Sequence, residues 1–164
     1  GGVVERRGRK KEPEGRVGWW GAGAGVCGGL GRGKGARTGA EGGGQEESGT
    51  GGAMAAAALC ALMGLSIEET EYAAEIAMEH HLGLTCDPIW GLVQIPCIER
   101  NAVAAMRALN AVRLANFLTN PRKISFDMVV ETMYQTGLDM SHQYMETSES
   151  GLAKLYPRPP VPGR

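Results

Sequence analysis

Long apolar runs and abundant cysteine are both missing from this sequence. No run of about 18 apolar residues is present, so the sequence offers no membrane-spanning helix. Charged residues stand near the N-terminus, where a secretory signal would need an apolar stretch. Four cysteines among 164 residues are too few for a disulfide scaffold. The sequence therefore predicts a cytoplasmic protein, without a membrane partner, whose cysteines are reduced thiols or metal ligands.

An excess of one charge is also missing, since 17 Lys and Arg stand against 18 Asp and Glu. This balance argues against a nucleic-acid surface over the whole chain. The charge is unevenly distributed, with +6 on residues 1–40 and −7 on the remainder, so a basic arm for polyanions stays open. Twenty of the 26 glycines lie in residues 1–52, which have no apolar periodicity. We expect most of this stretch to be disordered, because it buries too little apolar surface to offset its ordering entropy.

From Ala53 onward the sequence predicts an all-α domain, with no strand alternation and no internal repeat. The alanine-rich run from Ala53 is apolar on every face and stops at Gly64, which predicts a buried helix. Ser66 and Glu69 are typical of a capping box at the start of the next helix. Helices are predicted over residues 53–63, 67–81, 101–118, 126–135 and 138–148, the fourth ended by Gly137. A proline-rich tail follows over residues 157–164.

The helix predicted over residues 67–81 has glutamates at every third or fourth position. This spacing predicts a solvent-exposed face opposite an apolar one. The exposed face would comprise Glu68, Glu71, Glu75 and Glu79. The apolar face would comprise Ala73, Ala74, Ile76 and Ala77.

Residues 83–98 form an apolar segment that cannot be one helix, because it holds two prolines and two glycines. Cys86 and Cys97 lie near its ends, each beside a proline-constrained bend. Thiolates on stiff loop backbone are the ligands that iron-sulfur clusters require. Two small buried hydrophobes are an equally open interpretation, and a zinc site completed by His80 or His81 is a third.

Three further residues are candidates for a role with substrate. His80 and His81 end a predicted helix, where they either cap it or contact substrate. Arg100 stands at the entry of a predicted helix, where it would clamp a carboxylate or be solvated. Cys60 is expected in the core and Cys27 has no expected role.

Two segments carry a resemblance to a known family. AEIAMEHHLGLTCDP spans residues 74–88 and GLVQIPCIERN spans residues 91–101. With ETMYQTG at residues 131–137, they resemble the iron-sulfur-dependent L-serine dehydratases, in the C-terminal part of the alpha chain or catalytic domain. The resemblance covers about residues 41–156. It implies a helical catalytic-domain fragment, preceded by a Gly/Arg-rich segment over residues 1–40.

The resemblance implies a [4Fe-4S] cluster that acts as a Lewis acid in converting L-serine to pyruvate and ammonia. Cys86 and Cys97 match two of the three cluster ligands. The third family ligand stands in a Gly-Cys-Gln-x-Glu-x-Gly motif, and Gly44 occupies its position here. The resemblance also implies a partner, either a beta chain or the missing part of the catalytic domain. It does not assign the catalytic base.

Differences from the family's sequence limit which of its properties can be expected of this chain. Glycine has no side chain to donate, so a cluster at this site would have only two protein thiolates. Trp90 stands where the family has a second glycine, and its indole is expected to crowd the site. Residues 1–40 do not resemble the family's upstream sequence, and we hypothesise that they are read in the wrong frame. The fragment would then be inactive as it stands, and the alternative is a non-catalytic helical module that binds a metal or a partner.

Overall fold

The computed structural model describes Gly25, residues 39–118 and residues 121–157. In this part of the chain the protein is all-α, as predicted, with one isolated parallel β-bridge and no strand. The α-helices are α1 (Gly39–Gly42), α2 (Gly44–Met63), α3 (Ile67–Glu79), α4 (Cys97–Phe117), α5 (Phe126–Asp139) and α6 (Gly151–Leu155). Two 3₁₀ turns cover Ile89–Gly91 and His142–Tyr144. The predicted disorder of residues 1–24 and 26–38 and the tail from residue 158 fall outside the described residues. Among the described residues, no helix is long and apolar enough to cross a membrane.

Helices α2 and α3 form a hairpin that lies between α4 on one side and α5 on the other. The side facing α5 is a core that includes Met78, Val130 and Met133. The side facing α4 is a core made mostly of alanines, and these small side chains allow close approach of the helices. The predicted capping box at the hairpin is confirmed, with the Ser66 hydroxyl accepting from the Glu69 N–H at 3.1 Å and the Glu69 carboxylate accepting from the Ser66 N–H at 2.7 Å.

Helix α2 begins at Gly44, within the stretch that was expected to be mostly disordered, so the prediction was wrong for residues 44–52. Gly44 and Gly49 allow close packing that a side chain would disturb. A Cβ at Gly49 would lie 3.3 Å from the Cβ of His81, and one at Gly52 would lie 3.5 Å from the His81 ring. Tertiary packing on one face therefore overrides the low helix propensity of glycine.

Glu75 contradicts the predicted exposed face of α3, because it is only 3% exposed. The remaining part of the prediction holds, since Ala73, Ala74, Ile76 and Ala77 are all buried. Glu75 is covered from outside α3, by the end of α4 and the segment of residues 121–124, which line a cavity of about 380 Å³ beside it. The spacing of residues within α3 does not show that α4 covers the face that carries Glu75.

Two predicted helix ends differ from those observed. Helix α4 begins at Cys97, four residues before the prediction, directly after the cis-linked Pro96. Helix α5 continues through Gly137 to Asp139. Gly137 is buried, and a Cβ on it would lie 3.3 Å from the Cα of Gly42 in α1. It is a packing glycine and does not end the helix.

The short helix predicted over residues 138–148 is wrong. Only the end of α5 and the 3₁₀ turn His142–Tyr144 are helical in that range, and the last helix is α6, further along the chain. Glu146 and Ser148 have positive φ values of 61° and 58°, which interrupt any helix there. This C-terminal segment, residues 142–156, packs instead against the loop that carries Cys86.

Candidate functional site

The two cysteines of the predicted site lie side by side. Cys86 is in the loop after α3, where its backbone N–H donates to the Tyr144 oxygen at 2.8 Å and its oxygen accepts from the Glu146 N–H at 2.7 Å. Cys97 is the first residue of α4. Arg100, one turn after Cys97, contacts Thr85 and Asp87 on either side of Cys86, so the two cysteines, eleven apart in sequence, are brought together in space.

The surroundings of the two thiols favour their protonated form. Burial, together with Cys97, Glu146 and Glu47, raises the pKa of Cys86 to about 12. Burial also raises the pKa of Cys97, while the hydrogen bond from Cys86 and the charge of Arg100 oppose that rise. Deprotonation of the pair therefore requires a compensating positive charge, such as a bound metal ion, because the protein alone supplies little of it.

Asp87 and Arg100 form an ion pair directly behind the thiols. One Asp87 carboxylate oxygen lies 2.7 Å from the Arg100 guanidinium, and the side chains are only 3% and 20% exposed. The other oxygen accepts from the Leu152 N–H at 2.7 Å, at the start of α6. Arg100 also donates to the Thr85 oxygen at 2.7 Å. The pair thus joins the Cys86 loop, α4 and the C-terminal segment.

Arg100 is a candidate for binding a substrate carboxylate, and in this structure it is already paired with the carboxylate of Asp87. Its Nη1 atom serves both Asp87 and the Thr85 carbonyl. Sequence analysis named Arg100 but missed Asp87, Ser148 and Gly151, which hold the loop from the C-terminal side. The Ser148 hydroxyl donates to the Pro88 oxygen, and Gly151 approaches Asp87 so closely that a Cβ there would lie 2.6 Å from its carboxylate. No local spacing in the sequence signals contacts between segments this far apart.

The N-terminal end of α2 forms the third side of the site. The Gln45 N–H donates to the Leu84 oxygen at 3.0 Å, and the Gln45 side chain joins Gly83 to Met133 in α5. Ser48 donates to the Asn101 side chain of α4 at 2.9 Å. Gln45 is fully buried, and its backbone and side-chain amides fix the α2 end against the loop that leads to Cys86.

Gly44, which stands at the third ligand position of the resembled family, lies against this loop. A Cβ on Gly44 would be 2.5 Å from the Thr85 carbonyl oxygen, closer than two such atoms approach. Within the described residues no group of three His, Cys, Asp or Glu side chains could hold a metal ion. The donor set present here, two adjacent thiols, does not fit a cluster that needs three protein thiolates.

The two histidine candidates lie at different places. His81 is buried, its Nδ1 donates to the Ala77 oxygen at 2.7 Å, and its Nε2 atom is buried without a hydrogen-bond partner. Burial lowers the pKa of His81, so the neutral ring is favoured. His80 is exposed, donates from Nδ1 to the Ile76 oxygen at 2.7 Å and lies 3.3 Å from the Glu79 carboxylate. Neither joins the thiols in a metal-binding group.

The remaining cysteine and tryptophan candidates are peripheral. Cys60 is buried in the core between α2 and α4, as predicted, and burial raises its pKa to about 11. Cys27 lies outside the described residues. Trp90 is 46% exposed, and its ring makes an edge-on contact with Tyr156 at 5.4 Å between centroids. Its backbone has a φ of 57°, a conformation that favours glycine.

The fold and the site together define the class of protein: an all-helical segment with two neighbouring buried thiols beside a carboxylate-guanidinium ion pair. The family profile described as serine dehydratase alpha chain matches residues 22–153, and the chain belongs to this family. The match includes part of the Gly/Arg-rich segment.

Curated relatives agree with this assignment. L-serine dehydratase 1 of Escherichia coli (strain K12) is 53% identical over 130 residues, which are 79% of this chain and 29% of the relative. L-serine dehydratase 2 of the same organism is 56% identical over 116 residues, 71% of this chain and 26% of the relative. The L-serine dehydratase of Streptomyces coelicolor is 55% identical over 116 residues, with the same coverage. The chain therefore spans less than a third of the length of these relatives.

Proposed function

We propose that residues 41–156 are the alpha-type part of an L-serine dehydratase, a lyase that converts L-serine to pyruvate and ammonia. The observation that carries the proposal is that two buried cysteines, Cys86 and Cys97, are brought together by the contacts of Arg100 with Thr85 and Asp87. These two residues are proposed as ligands of a [4Fe-4S] cluster, whose iron supplies Lewis-acid chemistry to the family's reaction. Relatives with the name L-serine dehydratase, at 52–56% identity, support the choice of L-serine as substrate.

The same geometry leads to the proposal that this chain is inactive by itself. Two thiolates are present and the position of the third is Gly44, with the Thr85 carbonyl in the space that a side chain would need. The rest of the catalytic domain, or a beta chain, is proposed as the partner that completes the enzyme. A cytoplasmic location stays a prediction of the sequence.

Arg100, His80 and His81 remain proposals as substrate-contacting residues. Arg100 has the strongest support, because its charge acts on the Cys97 thiol and a guanidinium binds carboxylates in a bidentate manner, although its Nη1 atom is paired with Asp87 in this structure. His81 has a buried Nε2 atom free for a further hydrogen bond. His80 is supported only by its position next to Arg107, which donates to its backbone oxygen.

The test is anaerobic reconstitution of the full chain with iron and sulfide, followed by iron quantitation and a pyruvate assay with L-serine. The variant Gly44→Cys supplies the missing thiol, and the Thr85 carbonyl, 2.5 Å from the position of the new Cβ, has to move to admit the side chain. Circular dichroism checks that the variant folds. Gly51→Cys is its matched control, because Gly51 is on the same helix with open space around it. We expect Gly44→Cys to retain more iron than either the parent or Gly51→Cys, with no pyruvate formed by the parent.

A second pair of variants assigns the ligands. In the Gly44→Cys background, Cys86→Ser should abolish the gain in iron, whereas Cys60→Ser should leave it unchanged, because Cys60 lies in the core between α2 and α4. Equal iron retention by Gly51→Cys and Gly44→Cys, or full retention after Cys86→Ser, would contradict the proposal. The alternative of a non-catalytic module with a basic arm has no support in the described residues, since the arm lies outside them.

A further inference from the structure

Helix α4 is apolar on two opposite sides. Its inner side is buried against α2 and α3 by Ala104, Ala108, Ala111, Val112 and Ala115. Its outer side carries large apolar side chains in solvent, with exposed fractions of 51% at Val103, 61% at Met106, 41% at Leu109 and 80% at Phe117. At 100° per residue, these four and Ile98 fall within an arc of about 140° opposite the alanines. We call these five residues the α4 outer band.

The α4 outer band continues into the candidate site. Ile98 is 62% exposed and follows Cys97 directly. The loop before it adds exposed apolar side chains at Leu92, Val93 and Ile95. Soluble monomers rarely expose contiguous apolar surface on this scale, because it costs free energy unless another surface covers it. A polypeptide that covered the band would also border the two thiols.

We infer that the α4 outer band docks the part of an L-serine dehydratase chain that this sequence does not match. The inference rests on the proposed function. The relatives share the matched region at 53–56% identity, yet 71–74% of their length lies outside it. The α4 outer band, next to the site, offers that additional chain an apolar surface whose burial is favourable.

Polar residues within the arc of the band argue against a second copy of this chain as the occupant. Glu99, Val103, Met106, Asn110, Arg113 and Phe117 follow a spacing of four and three, the seam of a coiled coil. Parallel copies would place Arg113 opposite Arg113 and Glu99 opposite Glu99. An antiparallel seam would place Arg113 opposite Val103 and Glu99 opposite Phe117. Either arrangement buries charges without partners, which is costly. These registers therefore favour a different, largely apolar surface as the occupant.

The experiment co-expresses the full 164-residue chain with a tagged polypeptide, the part of E. coli L-serine dehydratase 1 outside the match. Capture of the chain on the tag is compared for the parent, Met106→Asp and Phe117→Asp. Both residues are mostly exposed, so these variants should fold, which circular dichroism checks. Ile67→Asp is the matched control, because Ile67 is 78% exposed on α3, away from the band. We expect capture to fall at least about tenfold in both band variants and to persist in the control.

Three outcomes would overturn the inference. They are failure of the parent chain to be captured, capture of the band variants at the parental level, and a parent dimer in light scattering that Met106→Asp converts to monomer. The last outcome assigns the band to a second copy. The capture assay needs neither iron nor turnover, so its result is independent of the reconstitution that tests the proposed function.

Discussion

Glu75 shows how one side chain can reverse an interpretation drawn from spacing. Its position in a row of glutamates predicts solvent, whereas the structure buries it beside the cavity between α3 and the end of α4. Burial, together with the charge of Glu79 and a hydrogen bond to it, raises the pKa of Glu75 to about 7, and Arg122 opposes the rise. A carboxyl group that is neutral in the folded state then makes stability depend on pH.

We expect the free energy of unfolding to fall as pH rises from about 5 to about 8. In this range the folded state still holds a proton on Glu75 that the unfolded state has lost. The stabilisation that results is complete below the unfolded pKa and is lost as pH rises through the folded pKa of about 7. Urea unfolding of Glu75→Gln across this range should show a flatter dependence than the parent. Glu131→Gln, an exposed change on α5, is the control. An unchanged slope in Glu75→Gln would show that the group titrates normally.

Gly44 and Gly51 give opposite expectations for the same substitution. A Cβ at Gly44 meets the Thr85 carbonyl at 2.5 Å, whereas one at Gly51 meets nothing within 4 Å. Gly51→Ala should therefore stabilise the protein by about 0.5–1 kcal/mol, the gain in helix propensity. Gly44→Ala should destabilise it, because backbone must move. Thermal unfolding of both variants measures the difference, and equal effects would mean that the Thr85 loop yields freely.

Helices and their connecting segments contribute differently to the site. Helix α4 provides Cys97 and Arg100 from one turn at its start, and the helix is stabilised by its alanine face. The loop with Cys86 has no regular structure of its own and is held by the C-terminal segment through Asp87, Tyr144 and Glu146. The sequence predicts helix α4 from its apolar periodicity. It also predicts a site at the two cysteines from the prolines beside them, because both signals are local. It does not predict that the C-terminal segment holds this loop, because that depends on contacts between segments far apart in sequence.

Asp87→Asn tests how much the contacts of Asp87 with Arg100 and the C-terminal segment stabilise the protein. Removal of one charge from a buried ion pair leaves Arg100 without its partner, which should cost about 3 kcal/mol of stability. Asp139→Asn, an exposed change at the end of α5, should stay within about 0.5 kcal/mol of the parent. Urea unfolding compares the two variants. An effect of Asp87→Asn no larger than that of the control would show that the pair contributes no net stability.

The described part of the chain has two cores that share the α2–α3 hairpin. Met133 lies in the core facing α5, and Val112 lies in the core facing α4. Loss of either core exposes one side of the same hairpin, so we expect the helices to unfold together. The all-α class and the positions of four helices follow from apolar periodicity, caps and breakers. The start of α2 and the end of α5 do not, because Gly44, Gly49 and Gly137 act through packing that local propensity cannot describe.

Met133→Ala and Val112→Ala should each lower the midpoint of one common transition. Met133→Ala should cost about 2–5 kcal/mol, and the smaller Val112 side chain should cost less. Urea unfolding followed by circular dichroism, with amide hydrogen exchange of α4 and α5, measures whether the helices respond together. Separate transitions, with α5 affected by Met133→Ala and α4 unaffected, would show two independent units.

The backbone bonds between Cys86 and the segment at residues 144–146 also set an order of events during synthesis. When Cys86 and Cys97 emerge from the ribosome, the residues that hold their loop have not yet been translated. The thiol pair takes its final geometry only after residues 144–146 have left the ribosome. Any metal delivered to this pair would therefore enter after that segment has folded onto the loop, which makes the site dependent on an intact segment at residues 144–146 in every molecule.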